Sequence, residues 1–389
     1  MKKMKKFSAL FLTAAMTLSM AACGNSSAGT STTEAASNAS ESTAETQTDT
    51  ASSEAAESTA SNGDLEDFSI VLDWYPNAVH SFIYTAIEKG YYAEEGLNVH
   101  VQFPANTNDA ITMTAAGQAD AGLYYQPNII STATNQDVPV RILGTIVQHP
   151  LNIVMSMKSS NITCAKDLKG KIIGYPGTVD NEYFVKAMME HNGLSYDDVT
   201  MQDVGFDLNT SLISGNVDAV IGTYINHEYP ALQKEGYDVT YFDITKEGCP
   251  DYEELVLVTG ENQVKNESDK LARFIRASRK GFQDVLDDPQ GCLQILLNNQ
   301  DKANYPLDSE VEEKSMEILL PLMADNSADF LTINKESWQN TADWLLKMGI
   351  ITKAADIDSL VTDIPQKIYG MHYLSILSSF TLRICVYYH

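Results

Sequence analysis

From residue 68 to residue 286 the chain alternates short apolar runs with segments whose apolar positions recur every three to four residues. The run 68–74 (FSIVLDW) predicts a buried strand, and 78–89, closed by Gly90, predicts a helix. A strand over 97–103, a helix over 106–116 that stops at Gly117, and a strand over 120–125 follow. Two more β-rich runs lie at 138–147 and 151–157. A second set reads strand 171–175, helix 179–192, strand 199–205, helix 208–214, strand 218–224, helix 226–235, and strands 238–243 and 254–259. From 268 onward the period is helical, over 268–286, 290–298, 309–323 and 335–348. Strands alternating with helices predict an α/β fold with mostly parallel sheets. Two such sets followed by a helical return predict two lobes facing one cleft.

The first 63 residues do not share this pattern. Lys2, Lys3, Lys5 and Lys6 precede an uncharged, mostly apolar run over 7–22, the layout of a secretory signal. It ends in Leu18-Ser19-Met20-Ala21-Ala22-Cys23-Gly24, which resembles a bacterial lipobox, with Met20 where that pattern usually has Leu. Residues 1–22 are therefore expected to be removed and Cys23 to be lipidated. Residues 24–63 hold no aromatic, no Leu, Ile, Val or Met, and no Lys or Arg. Such a segment cannot bury enough apolar surface to offset its ordering entropy. With Cys23 it is expected to form a disordered tether, 23–63, between a membrane and a folded body. At the other end, 371–389 is an atypical apolar and aromatic tail.

Length and charge narrow the class. The 389 residues, 44% hydrophobic and 20% charged, suit two domains or one two-lobed unit. There are 26 basic and 52 acidic residues; removing the signal leaves 22 against 52, a net charge of −30. A body this acidic repels phosphate backbones, so nucleic acid is not an expected partner. No apolar stretch of 18 residues follows the signal, which excludes a multi-span membrane protein. The five cysteines form no C-x-x-C and no Cys/His cluster. Cys164, Cys249 and Cys292 read as isolated thiols, and the pairs Glu94-Glu95, Asp197-Asp198 and Glu253-Glu254 as solvated faces or helix starts. There is no G-x-S-x-G, H-E-x-x-H, P-loop or G-x-G-x-x-G, so no metal and no cofactor are expected.

Ligands of open α/β sheets bind at the carboxyl ends of strands, and four such ends are rich in chemistry. The first carries Trp74, Asn77 and His80; the second Tyr124 and Tyr125; the third Tyr175, Gly177 and Thr178; the fourth Tyr224, Asn226 and Glu228. Rings stack on Trp and Tyr, and a carboxylate such as Glu228 accepts from an exocyclic amine. The turn through Gly177 and Thr178 opens a helix N-terminus, which suits an acceptor atom. A basic cluster is missing, so a sulfonate or phosphate is less natural. The expected ligand is a flat, polar, aromatic heterocycle. Four readings compete with this: Asn77 as a helix cap, Trp74 as core, His80 as a buried satisfied histidine, and one of Tyr124 and Tyr125 as core.

Longer runs carry a family resemblance. Asp73-Trp74-Tyr75-Pro76-Asn77 with His80, Glu88-Lys89-Gly90-Tyr91-Tyr92, Glu95-Gly96-Leu97 and Gly117-Gln118-Ala119-Asp120 follow in order. Then come Asp167-Leu168-Lys169-Gly170-Lys171-Ile172-Ile173-Gly174 and Gly215-Asn216-Val217-Asp218-Ala219. Over residues 67–300 this set resembles the solute-binding proteins related to the thiamine-pyrimidine synthase of fungi. The resemblance implies an α/β type II periplasmic binding protein, two lobes joined by two crossing segments, with a helical C-terminal part. It places one lobe at 64–158 plus 254–370, the other at 159–253, and the crossings near 157–161 and 251–254.

The Trp-x-Pro-Asn-x-x-His start with the later Gly-x-Tyr-x-Asn-x-Glu is most similar to the branch that binds pyrimidine precursors of thiamine. That implies a monomeric receptor, lipid-anchored on the outer face of the bacterial cytoplasmic membrane. It would pass a hydroxymethyl- or formylaminopyrimidine to an ABC permease by cleft closure. By this match Trp74 with Tyr224 or Tyr175 stacks the ring, and Asn77 and Glu228 read its amines. A riboflavin-binding branch shares much of the pattern. The synthase holds pyridoxal phosphate on the lysine of a Leu-Lys-x-x-x-His segment and carries a cysteine-rich run for iron. Here Tyr124 stands at the lysine, Asn128 at the histidine, and Cys249 alone lies near the cysteine run. A Schiff base needs an amine, so the resemblance to the enzyme does not extend to its chemistry.

Overall fold

A computed structural model describes residues 65–324 and 330–365. The signal, Cys23, the tether and the tail 371–389 lie outside the described residues. The strands are β1 (Glu66–Val71), β2 (Leu97–Gln102), β3 (Ala121–Tyr124) and β4 (Val140–Val147). After a crossing come β5 (Asn152–Met157), β6 (Ile172–Tyr175), β7 (Thr200–Asp203), β8 (Ala219–Tyr224) and β9 (Val239–Asp243). A second crossing leads to β10 (Leu255–Gly260). The sheets run β2-β1-β3-β10-β4 and β7-β6-β8-β5-β9. Helices flank both, giving two α/β lobes.

Two expectations are corrected here. The sheets are mixed rather than mostly parallel: β10 is antiparallel to β3 and β4, and β5 is antiparallel to β8 and β9. Each is the strand that arrives from the other lobe, so it enters its sheet from the opposite end. The first crossing is also earlier than expected. Residues 151–157 read as the last strand of the first lobe, but β5 pairs with β8 and β9, so the chain crosses at 148–151 rather than near 157–161. Hydrophobic pattern alone cannot assign a buried strand to one sheet or the other. The second crossing falls between β9 and β10, within 244–254. The stretch after β3, read only as a strand end, opens a helix over Gln126–Gln136 with Pro127 in its first turn, where a missing N–H costs nothing.

Burial follows the period of each element. In the second lobe, Val154 and Ile221 pack on one face with Ile173, Phe184 and Met188. Their neighbours Met155 and Val220 pack on the other with Leu208 and Leu232, as strand alternation requires. In the first lobe Phe68, Ile70, Leu123 and Leu257 lie in one continuous core. The helix Ser81–Glu88 is followed by Gly90 at φ +75°, a left-handed residue that lets the chain turn at once toward Tyr91–Glu94. No helix among the described residues is long and apolar enough to cross a membrane.

The helix Ser268–Asp287 lies against Ser81–Glu88 at very close range. A Cβ on Gly281 would sit 2.3 Å from the Phe82 carbonyl oxygen and 2.9 Å from Ala86 Cβ. Gly281→Ala is therefore expected to destabilise the protein by roughly 1–3 kcal/mol through overpacking. Urea unfolding checks this; an unchanged midpoint would mean that the helices separate without strain.

Candidate functional site

The carboxyl ends of β1, β3, β6 and β8 meet the starts of β5 and β10 between the lobes. The cavity there is walled by Trp74, Tyr125 and Tyr224, by Asp73, Asp180 and Glu228, and by Asn152, Asn181, Asn226 and His227, among others. The walls approach closely, leaving about 30 Å³ open to water. Contacts across the seam hold this closed arrangement. Thr107 Oγ1 donates to the Pro176 carbonyl at 2.8 Å, and Asp180 N–H donates to Asn128 Oδ1 at 2.9 Å. The Phe206 ring sits 4.5 Å from Trp74 and 4.8 Å from Tyr75, centroid to centroid.

Seven of the eleven expected ligand residues line the cavity: Trp74, Asn77, Tyr125, Thr178, Tyr224, Asn226 and Glu228. Asn77 does so as a cap. Its Oδ1 accepts from Val79 N–H and its Nδ2 donates to the Tyr75 carbonyl, both at 3.1 Å, so its amide is already engaged. Four residues are not in the wall. His80 is fully buried; its Nδ1 accepts from Asn77 N–H at 3.1 Å, so Nε2–H donates to Asp73 Oδ1 at 3.0 Å. It orients Asp73 rather than facing the cavity. Tyr124 is buried and donates to Asn108 Oδ1 at 2.6 Å, leaving the cavity to its neighbour Tyr125 by strand alternation. Tyr175 donates to Glu182 Oε1 at 2.6 Å. Gly177, at φ +78°, is a turn residue where a Cβ would meet Asp203 Oδ2 at 2.8 Å.

The sequence reading missed Asp73, Asn152, Asp180, Asn181 and His227. Asp73 and His227 adjoin residues that were singled out, and Asp180 and Asn181 follow Thr178 into the first turn of the helix Val179–His191. Asn152 had no signal, because it opens the strand that was assigned to the other lobe. It is nonetheless central: Nδ2 donates to Asn181 Oδ1 at 2.8 Å, Oδ1 accepts from Gly222 N–H at 2.9 Å, and Asn181 Nδ2 donates to Thr178 Oγ1 at 2.8 Å. Asn226 keeps a buried Oδ1 without a hydrogen-bond partner.

The cavity is acidic, and no Lys or Arg is among its described lining residues. Burial pushes the Asp180 carboxyl above its usual range. Burial also works against charge on His227, but Glu228 at 2.9 Å and Glu312 at 3.2 Å outweigh it and hold the imidazolium well above the ordinary histidine range. For Glu228 burial is likewise outweighed, by His227 and the Tyr224 N–H, and its pKa is lowered. Among the described residues no group of three or more His, Cys, Asp or Glu could hold a metal ion.

Beneath the cavity lies a further correction. Glu253 and Glu254 are buried, not solvated. Glu254 Oε2 accepts from Leu151 N–H at 2.7 Å, Asn152 N–H at 3.1 Å and Tyr252 Oη at 2.9 Å, and Oε1 accepts from Tyr224 Oη at 3.1 Å. Glu253 Oε2 accepts from Thr145 Oγ1 and from Trp338 Nε1 at 2.8 Å. Burial pushes both carboxyls up to about 7 although these donors pull the other way.

Two α/β lobes, two crossings and a polar cavity at the seam define a clamp of the periplasmic binding protein type. The fold is similar to that of the alkanesulfonate-binding protein SsuA from Xanthomonas axonopodis pv. citri bound to MOPS. The TM-score is 0.61 at 14% identity, over 77% of this chain and 99% of that one. Residues 77–292 match the family model described as NMT1/THI5 like, and the chain belongs to the NMT1/THI5-like family. It is 45% identical over 304 residues to the formylaminopyrimidine-binding protein of Halalkalibacterium halodurans, covering 77% of this chain and 91% of that protein. It is 23% identical over 296 residues to the 4-amino-5-hydroxymethyl-2-methylpyrimidine phosphate synthase of Uromyces fabae, covering 74% and 84%.

The two buried glutamates set a pH dependence. Their ordinary value of 4.5 is raised on folding, so the folded state keeps protons that the unfolded chain releases. The stability they confer is full below about pH 4.5 and is lost as pH rises through about 7. Denaturant unfolding across this window is expected to show a loss on the order of 3 kcal/mol per carboxyl. Glu254→Gln is expected to remove one of the two steps; an identical pH profile in the variant would show that Glu254 is ionised in the folded protein.

Proposed function

We propose that this protein is an extracytoplasmic solute receptor of an ABC importer. It captures an amine-bearing pyrimidine of the hydroxymethyl- or formylaminopyrimidine type, a thiamine precursor, and delivers it to the permease. The observation that carries this reading is the cavity itself: the rings of Trp74, Tyr125 and Tyr224 beside the carboxylates of Asp73, Asp180 and Glu228, with no Lys or Arg in the described wall. Such a wall stacks a flat ring and accepts from its amines, and it repels an anion. The name of the 45% identical relative supports the same cargo. The likeness to the synthase does not favour an enzyme here. Tyr124 stands where that chemistry needs an amine, and its hydroxyl is buried on Asn108.

In this reading Trp74 and Tyr224 stack the ring, Glu228 and Asp180 accept from its amines, and the free Oδ1 of Asn226 takes another donor. The lobes part to admit the ligand and the seam contacts favour the closed state once it is bound. The signal 1–22, a lipidated Cys23 and the tether 24–63 hold a monomeric body, with lobes at 64–158 plus 254–370 and 159–253 adjusted for β5, on the outer face of the cytoplasmic membrane.

Calorimetry on the mature protein tests the cargo. Hydroxymethylpyrimidine and its formylaminomethyl analogue are expected to bind and taurine to give no heat; riboflavin binding alone would replace the cargo, and taurine binding would overturn the acidic-site reading. Trp74→Ala is expected to weaken pyrimidine binding about 10- to 100-fold, the loss of one stacked face. Fractionation of cells tests the anchor. Cys23→Ser is expected to move the protein from the membrane to the soluble fraction, and an unchanged distribution would remove the lipid from the account.

A further inference from the structure

The loop after β8 and the short helix Glu228–Lys234 of the second lobe face the helix Ser309–Met323 of the first lobe. Three polar links join them. Asn226 Nδ2 donates to Ser315 Oγ at 2.8 Å, Lys234 pairs with Asp308 at 2.5 Å, and His227 lies between Glu228 and Glu312. The third is built differently from the others. Glu228 uses Oε2 to accept from Tyr224 N–H of its own lobe at 2.8 Å and gives Oε1 to His227 Nδ1 at 2.9 Å. Glu312 uses Oε2 to accept from Ala78 N–H of its own lobe at 2.7 Å and gives Oε1 to His227 Nε2 at 3.2 Å. Each carboxylate is thus fixed to its own lobe by one oxygen and offers the other to the same ring.

We infer that His227 is a positioning residue that couples the ligand-facing carboxylate Glu228 to closure of the cleft, by bridging it to Glu312 across the seam. The inference rests on the cavity being the ligand site. Both ring nitrogens face carboxylate oxygens, so both must donate, which only the imidazolium can do. A neutral ring satisfies one carboxylate and leaves the other buried without its donor, and the two are only 9% and 1% exposed. Loss of the proton therefore opens the link between the lobes. Reciprocally, a ligand amine that fixes Glu228 favours the bridge, since coupling of two equilibria acts both ways.

The ring is reachable from solvent, because His227 also lines an outer groove between the lobes with Tyr75, Tyr305, Lys234, Glu235 and Asp308. In that groove Lys234 is taken by Asp308 and Glu310. On the cavity side the other titratable groups of the wall are Asp73, tied to His80, together with Asp180, Tyr125 and Tyr224. Every carboxylate in this set favours the imidazolium, and the one cation is already paired. The contribution to closure is full below the ordinary histidine range and is lost as pH rises through the raised value of the closed state.

The test uses the mature protein with a fluorescent donor and acceptor placed one on each lobe. Interlobe distance is read from pH 6 to 10, without ligand and with saturating hydroxymethylpyrimidine, in the native protein, His227→Gln and Glu312→Gln. The native protein is expected to open as pH rises. Both variants are expected to be more open at pH 6, to lose the pH response, and to bind the pyrimidine roughly tenfold more weakly. Folding is checked by circular dichroism, and Glu312→Gln stands in should His227→Gln not fold. A pH response shared unchanged by all three proteins overturns the bridge. If the native protein binds no pyrimidine, the cargo reading fails, while the ligand-free distances still decide whether His227 holds the lobes together.

Discussion

The buried carboxylate of Glu254 collects donors from three places that the chain order keeps far apart. Leu151 ends the first crossing and Asn152 opens β5, Tyr252 belongs to the second crossing, and Tyr224 to the end of β8. Burying a carboxyl is costly unless its lone pairs are occupied, so this group fixes the register of both crossings at once. Asn152 can reach Asn181 and Gly222 only if β5 starts where it does, and β5 starts there because its first amide is held on Glu254. The cavity wall is in this sense an outgrowth of the hinge. Glu253 does the complementary task, holding the second crossing to β4 and to the helix Lys335–Lys347 through Thr145 and Trp338.

The same two-lobed fold serves an alkanesulfonate-binding protein. Fold therefore says little about cargo, which the residues of the wall decide. Here the wall concentrates carboxylates in a place where water is largely excluded, which strengthens their pull on any hydrogen-bond donor. His227 relieves part of the repulsion among them without reversing the sign of the site. An aromatic group at the seam, Trp74 and Tyr75 against Phe206 with Tyr305 stacked on Tyr75 at 4.2 Å, covers the polar interior.

Much of the architecture was legible in the sequence because each strand and helix carries its own period. The positions of β1 to β10 and of the four late helices follow from local pattern and from stops such as Gly90 and Gly117. What local pattern could not carry was sheet membership. Residues 152–157 are apolar enough for either sheet, and the choice is made by partners more than 60 residues away, Ala219–Tyr224 and Val239–Asp243. The site shows the same division. Trp74, Tyr125, Tyr224 and Glu228 were readable as chemistry at strand ends, whereas His80 and Tyr124 look identical in sequence to ligand residues and turn inward to satisfy Asp73 and Asn108. Glu253 and Glu254 misled for the opposite reason: two adjacent acids are usually solvated, and only the tertiary structure supplies the donors that let them be buried.

The place of β10 bears on how such a chain folds. It lies between β3 and β4 in the first sheet, yet it follows the whole second sheet in the chain. The second lobe can assemble from one uninterrupted stretch, 152–243. The first lobe cannot: until residue 255 arrives, β3 and β4 have no strand between them and their facing edges lack ladder partners. Long-range closure of this kind is slow and leaves sheet edges exposed while it waits. The sheet of the inserted lobe can thus be complete before that of the outer lobe, which needs residues from both sides of it.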